Sequence, residues 1–180
     1  SGVIHMVPES VAYRVTTPVS ATVGPPATFA FSVELVDGAT GQRVTSDDRS
    51  FTIAAVNHNT GLPGAGTLAL TAGSTSLGVV TLTQSYTAAE AIYLRLEDDR
   101  GLVVFSDPIQ VFAGPPASLT VTANPPTLEV GQAATLSATV SDLFGNRVLA
   151  EPVAFTLLAG DGQLAADSVL TGSLGMANNT

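Results

Sequence analysis

Four carboxylates stand close enough along the chain to form a cation site: Glu97, Asp98 and Asp99 in succession, and Asp107 a little further on. A calcium ion takes roughly six to eight oxygen ligands from converging carboxylates and carbonyls. The triplet opens the turn Asp98-Asp99-Arg100-Gly101, and Asp107 follows one strand later. A site there would stiffen the junction with whatever follows. Two features weigh against it. Adjacent residues of a strand point to opposite faces, and Asp-Asp-Arg-Gly is ordinary turn chemistry. Asp142, Gly145 and Asn146 form a second acidic turn that needs no metal. Calcium at Glu97, Asp98, Asp99 and Asp107 is therefore the one candidate cofactor, and no organic cofactor is expected.

Catalysis finds fewer footholds. Acid pairs for glycoside hydrolysis could be drawn from Asp47, Asp48, Glu97, Asp98 and Asp99. Yet the chain has three tyrosines and no tryptophan on which to stack a sugar. Of its two histidines, His5 falls in an N-terminal tail and His58 in the loop Asn57-His58-Asn59-Thr60-Gly61. A general base needs a neighbouring nucleophile and an orienting carboxylate, and no motif such as G-x-S-x-G supplies one. The chain is expected not to be an enzyme. Asn178-Asn179-Thr180 satisfies the N-glycosylation pattern but reads as a polar strand or loop.

Composition narrows the classes further. Fifteen acidic residues against six basic ones give a net charge of −9, and every basic residue is arginine. Such a chain repels phosphate backbones, so nucleic acid is not an expected partner. Cysteine is absent, so the core must hold the fold without disulfides. No apolar run reaches 18 residues, and no membrane span is expected in this segment. Gly and Pro, at 17 and 11 residues, punctuate the chain as turns between many short strands.

Those strands are visible as a period of two. Phe29, Phe31, Val33 and Leu35 alternate with small or polar residues, as a half-buried strand requires. Leu136, Ala138 and Val140 do the same. Ile92, Leu94 and Leu96 lead through the acidic turn to Leu102-Val103-Val104-Phe105, which predicts a hairpin. About seven strands are expected in the first hundred residues, with one helical turn at Thr87-Ala88-Ala89-Glu90-Ala91.

The chain also repeats itself. Val23-Gly24 matches Val130-Gly131, Thr28-Phe29 matches Thr135-Leu136, and Val33 matches Val140, each 107 residues on. Gly41-Gln42-Arg43-Val44 then matches Gly145-Asn146-Arg147-Val148 at 104, which implies three extra loop residues in the first copy. Ser76-Leu77-Gly78 matches Ser173-Leu174-Gly175 at 97. The expected division is a tail or expression remnant at 1–10, a first module at 11–113, a stiff Gly-Pro-Pro linker at 114–116 and a second module at 117–180. Strands of this number and spacing predict an all-β chain of two tandem Greek-key β-sandwiches.

The ordered motifs of the second module resemble a known family. Ala117-Ser118-Leu119-Thr120-Val121, Pro125-Pro126, Val130-Gly131, the run from Ala134 to Asp142, Gly145-Asn146, Val153-Ala154-Phe155, and Thr171 with Gly175-Met176-Ala177 are similar to the bacterial immunoglobulin-like domains of intimin- and invasin-type adhesins. The first module is a looser relative. The resemblance implies immunoglobulin-like sandwiches in a repeated extracellular or cell-surface rod. It implies neighbouring modules of a longer chain as partners, and a host or matrix protein or glycan as a target.

The expected function is a non-catalytic spacer in an adhesin-like protein. The alternatives are a protein- or carbohydrate-binding module, or an accessory domain of an extracellular enzyme. Loop 57–66 is the expected variable contact surface. Thr180 aligns with Thr83, so the second module is expected to lack its last two strands, about 28 residues. Truncation of a longer protein, partial disorder, or strand exchange into a filament would account for that, with Val3-Ile4 of a neighbour as the donor.

Overall fold

The computed structural model describes residues 10–180. The expected tail, except Ser10, and with it His5 and the Val3-Ile4 donor, lies outside the described residues. The described chain is all-β, with fourteen strands and no helix. It divides into two compact units, Ser1–Phe112 and Ala113–Thr180.

Unit one is a sandwich. β1 (Val11–Thr16), β3 (Phe29–Asp37) and β6 (Val79–Gln84) form one sheet in the order β1-β3-β6. The other runs β2 (Ser20–Thr22), β9 (Ile109–Phe112), β7 (Ala91–Asp98), β4 (Ser50–Asn57) and β5 (Ala72–Ser74), with β8 (Val103–Phe105) hairpinned onto β7. All pairings are antiparallel except β2 with β9, which is parallel through Ser20↔Gln110, Ala21↔Val111 and Thr22↔Phe112. The alternation read in β3 and β7 is what closes the sandwich. Phe29, Phe31 and Val33 from one sheet meet Phe51, Ile53, Ile92, Leu94, Leu96, Ile109 and Val111 from the other in one buried cluster. Each such side chain contributes about 1.5–3 kcal/mol on burial, which makes β7 the centre of this core.

Two expectations for this unit are corrected. Its described residues form nine strands rather than about seven, and β2, β5 and β8 are three residues long, too short for alternation to register. Residues 87–91 form no helical turn. Helix propensity in Thr87-Ala88-Ala89-Glu90-Ala91 is overridden by the tertiary bonds of Tyr86 and Glu90 described below.

Unit two has β10 (Ser118–Asn124), β11 (Thr135–Ser141) and β14 (Met176–Asn179) in one sheet, and β12 (Pro152–Ala154) with β13 (Ser168–Leu170) in another. Its core is small, built on Ala138, Val140, Val148, Val153 and Ala177. The repeat holds at the level of single hydrogen bonds. The Thr75 hydroxyl accepts from the Arg49 amide while the Thr75 amide donates to the Arg49 carbonyl, and Thr171 does both with Glu151. The Gln84 side-chain amide clamps the N–H and C=O of Leu70, and Asn179 clamps those of Ala166. The Leu35 amide donates to the Gly78 carbonyl, and that of Val140 to Gly175.

This bonding corrects the alignment. Val140 occupies the place of Leu35, 105 residues earlier, and not that of Val33. The offset of 107 survives at the strand start, where Phe29 pairs with Gln84 and Leu136 with Asn179. Two of the three extra residues therefore lie inside β3, and one in the loop. A two-residue difference keeps every side chain on its own face, whereas one residue would reverse them all. Thr180 likewise matches Ser85, since each donates its amide to the preceding clamp. Four strands of unit one, β2, β7, β8 and β9, have no counterpart among β10–β14, and three of them follow the residue that matches Thr180, one more than expected. As a result β12, the counterpart of β4, is hydrogen-bonded along one edge only among the described residues.

Candidate functional site

The acidic hairpin is built around an arginine, Arg49. In β7 the alternation turns Ile92, Leu94, Leu96 and Asp98 inward, and Tyr93, Arg95 and Glu97 outward. The Asp98 side chain is fully buried, where its Oδ2 accepts from Arg49 Nη1 at 2.7 Å and from the Tyr13 hydroxyl at 3.1 Å. Its Oδ1 accepts the Arg100 and Leu102 amides of the turn. Burial pushes this carboxyl up, but Arg49, the two amides and Tyr13 outweigh it and hold the group below the ordinary aspartate range. Burial and the same carboxylate push the Tyr13 hydroxyl far above its usual value. Arg49 also pairs with Asp47, which Arg100 grips through both its oxygens.

The four carboxylates proposed for calcium therefore part company. Glu97 points outward to Arg95 at 2.7 Å, Asp98 is enclosed, and Asp99 and Asp107 are exposed. No group of three or more acidic, histidine or cysteine side chains is suited to a metal ion among the described residues. Of the other acids considered for glycoside chemistry, Asp47 is held by Arg49 and Arg100, and Asp48 accepts the Gly78 amide. Asp142 caps its own turn through the Phe144 and Asn146 amides, and its other oxygen accepts the Gly114 amide.

The opposite end of unit one carries a second polar lock. Glu90 accepts from the Tyr86 hydroxyl, from Asn57 Nδ2 and from the Ala65 amide. Burial raises the Glu90 carboxyl, yet those donors leave it below the usual glutamate range. Tyr86 is wholly buried, and its hydroxyl also accepts the Gly66 amide. Loop 57–66, expected as a variable contact surface, is thus folded and pinned. Asn57 Oδ1 closes it by accepting from the Asn59 and Thr60 amides.

Between the two locks the outer face of the β7 sheet carries a row of rings. His58 meets Tyr93 edge to face at 4.8 Å, and Tyr93 meets Phe105 at 6.3 Å. Phe105 is half exposed, and Val103 beside it also reaches solvent. Arg95, cross-strand from Phe105, borders the row. Sequence reading placed His58 in a solvated loop and missed the row. Its signal was the hairpin itself, because Tyr93 and Phe105 fall on one face once the register is known. Arg49, Tyr13, Tyr86 and Glu90 were missed as well, since nothing local couples residues so far apart.

No protein-family model and no curated protein matches the chain. Solved structures do. The FdeC adhesin of Escherichia coli is similar over 95% of this chain and 56% of its own, at 16% identity and a TM-score of 0.48. The chain thus spans little more than half of that structure. The D00-D0 domain of intimin is similar over 93% of this chain and 84% of its own, with 17% identity and a TM-score of 0.38. The E. coli chaperone DraB gives 93% and 83%, with 7% identity and a TM-score of 0.41. These likenesses are of fold and assign no ligand.

Proposed function

We propose that the chain is a non-catalytic spacer segment of a secreted or cell-surface, adhesin-like protein, and that unit one is its tension-transmitting part. The observation that carries this is the parallel pairing of β2 with β9, near the entrance and at the exit of unit one. Tension applied at the ends of the unit drags β2 and β9 in opposite directions along their length. Their hydrogen bonds, flanked by Gln110 N–H to the Val19 carbonyl at 3.0 Å and Val23 N–H to the Phe112 carbonyl at 2.9 Å, are then strained together in shear. An antiparallel hairpin pulled from its open end would lose such bonds one at a time. Single-molecule stretching tests the reading. Gln110→Pro deletes one donor on the side of β9 that faces β2 and should lower the unfolding force of unit one. An unchanged force would remove the basis of the proposal.

A second reading has its own support. Aromatic side chains gathered on one exposed sheet face favour a binding module, since such rows supply contact area at low entropic cost. If the His58–Tyr93–Phe105 face binds protein or glycan, Phe105→Ser should abolish retention on that ligand while leaving the melting temperature nearly unchanged. Retention that survives Phe105→Ser and Tyr93→Ser would exclude this face.

A further inference from the structure

The row of rings is one end of a longer feature on the outer face of unit one. There β4 presents small side chains, with Ser50, Thr52 and Ala54 exposed and Val56 partly so. Across the ladder Thr52, Ala54 and Val56 lie beside the longer Glu97, Arg95 and Tyr93 of β7. Asp99 continues that line, its amide bonded to the Ser50 carbonyl. The step from long to small side chains makes a trough along β4. From Ser50 to Val56 it extends roughly 20 Å at the rise of a strand. At the acidic end it widens into a hollow of about 740 Å³ lined by Ser50, Thr52, Ala72, Ser74, Glu97 and Asp99, among others. At the other end stand Tyr93, His58 and Phe105.

The lining selects a class of ligand. β4 is hydrogen-bonded to β7 along one edge, and to β5 and the loop at 62–64 along the other. An extended peptide laid in the trough meets no open strand edge to pair with, so recognition falls to side chains. Carboxylates only accept hydrogen bonds, so Glu97 and Asp99 suit a ligand rich in donors. Arg95 Nη2 holds Glu97 Oε2 at 2.7 Å, which leaves Oε1 for such a donor. Asp99 is exposed and in no ion pair among the described residues. The rings offer apolar surface at the far end. Hydroxyl donors alternating with apolar C–H faces are the surface of a sugar. Two carboxylates in a chain of net charge −9 repel acidic sugars, while Arg95, midway along the trough, opposes a polycation.

Building on the reading of the ring face as a binding surface, we propose that this trough holds a short uncharged oligosaccharide. Its apolar faces lie on Tyr93 and Phe105, and its neighbouring hydroxyls donate to Glu97 and Asp99.

Amide chemical shifts of the full chain test this, in titrations with cellotetraose, maltotetraose, tetra-N-acetylchitotetraose and a heparin tetrasaccharide. At least one uncharged sugar should bind, with shifts in β4, β5 and β7, and the heparin fragment should not. Glu97→Gln and Asp99→Asn should each weaken that sugar at least about fivefold, as loss of a charge-assisted bond implies. Phe105→Ser should weaken it too, with melting curves reporting that each variant is folded. Binding of none of the uncharged sugars, or tighter binding of the heparin fragment, would overturn the proposal. So would a sugar that Phe105→Ser weakens while Glu97→Gln and Asp99→Asn do not, although the ring face would then still be a binding surface. A protein ligand lost on Phe105→Ser, with no sugar bound, would overturn the sugar assignment alone. Sugar binding indifferent to Phe105→Ser would remove the ring-face reading and this proposal together.

Discussion

At the scale of single residues, unit one spends its buried charge on locks. Arg49 is nearly enclosed and faces the fully buried Asp98 carboxylate. Removing one partner of such a pair costs about 3–5 kcal/mol, because the other charge stays behind without a counterion. Arg49→Ala should therefore lower the stability of unit one by that order in a urea titration, and Asp98→Asn by less, since the amide can still accept and donate. A loss under about 1 kcal/mol for Arg49→Ala would mean that Asp98 is hydrated in the folded protein.

The pH dependence has a fixed sign. Asp98 and Glu90 are held below the ordinary values of 3.8 and 4.5, so the stability they contribute is present above those values. It is lost as pH falls through the still lower folded values. Tyr13 and Tyr86 are raised above the ordinary value of 10, so their contribution is present below pH 10 and lost only well above it. Melting temperature against pH should show a plateau between these limits. Arg49→Ala should move the acid limb upward, because Asp98 loses its main stabilising partner. An acid limb that stays in place would assign acid sensitivity to other carboxylates.

At the scale of elements, the strands follow their own sequences while the connections follow distant partners. The alternation of β3 and β7 was legible because a period of two needs no partner to be seen, and the β7–β8 hairpin was legible from its turn residues. What the sequence could not disclose was set by contacts between separated segments. Residues 87–91 look helical because alanines and the four-residue spacing of Tyr86 and Glu90 suit a helix, yet that spacing here serves a hydrogen bond across a loop. The acidic cluster looked like a cation site because its nearest neighbours in sequence are acids, while its real partner, Arg49, lies 49 residues away. The aromatic row was hidden for the same reason.

Gly78 shows what a connection demands. Its φ is +74°, and a Cβ there would lie 1.9 Å from the Val44 carbonyl oxygen. Gly175 repeats the positive φ, and its Cβ would meet Arg147. Gly78→Ala must therefore both strain the backbone and displace Val44, which closes against Leu35. The expected loss is roughly 2–4 kcal/mol, well beyond the ~1 kcal/mol of a left-handed alanine alone. Ala30→Gly, on the exposed face of β3, is the control and should cost about 1 kcal/mol or less. If the two variants melt alike, the close approach to Val44 does not exist in solution.

At the scale of the whole molecule, the two units share a bonding plan but not a core. Unit one buries aromatic and large aliphatic side chains from both sheets, whereas the largest side chain in the buried cluster of unit two is valine. The units should therefore differ in stability, with unit two melting first; one transition shared by probes placed in both units would contradict this. Calcium should leave both transitions where they are, since Arg49 already occupies Asp98 and Glu97 is turned outward. A rise in melting temperature with millimolar calcium, absent in Asp99→Asn, would restore the cation site.

The central claim, that unit one transmits tension through the sheared β2–β9 pair, depends on the direction of the pull. The chain has no cysteine, so pairs of introduced cysteines can carry handles without ambiguity. Handles at Ser20 and Phe112 stretch the pair in shear. Handles at Ser20 and Gln110, which face each other across the ladder, peel it open from one end. The account predicts that unit one resists clearly higher force in the first geometry than in the second, and that Gln110→Pro lowers the force in the first. Equal unfolding forces in the two geometries would contradict it.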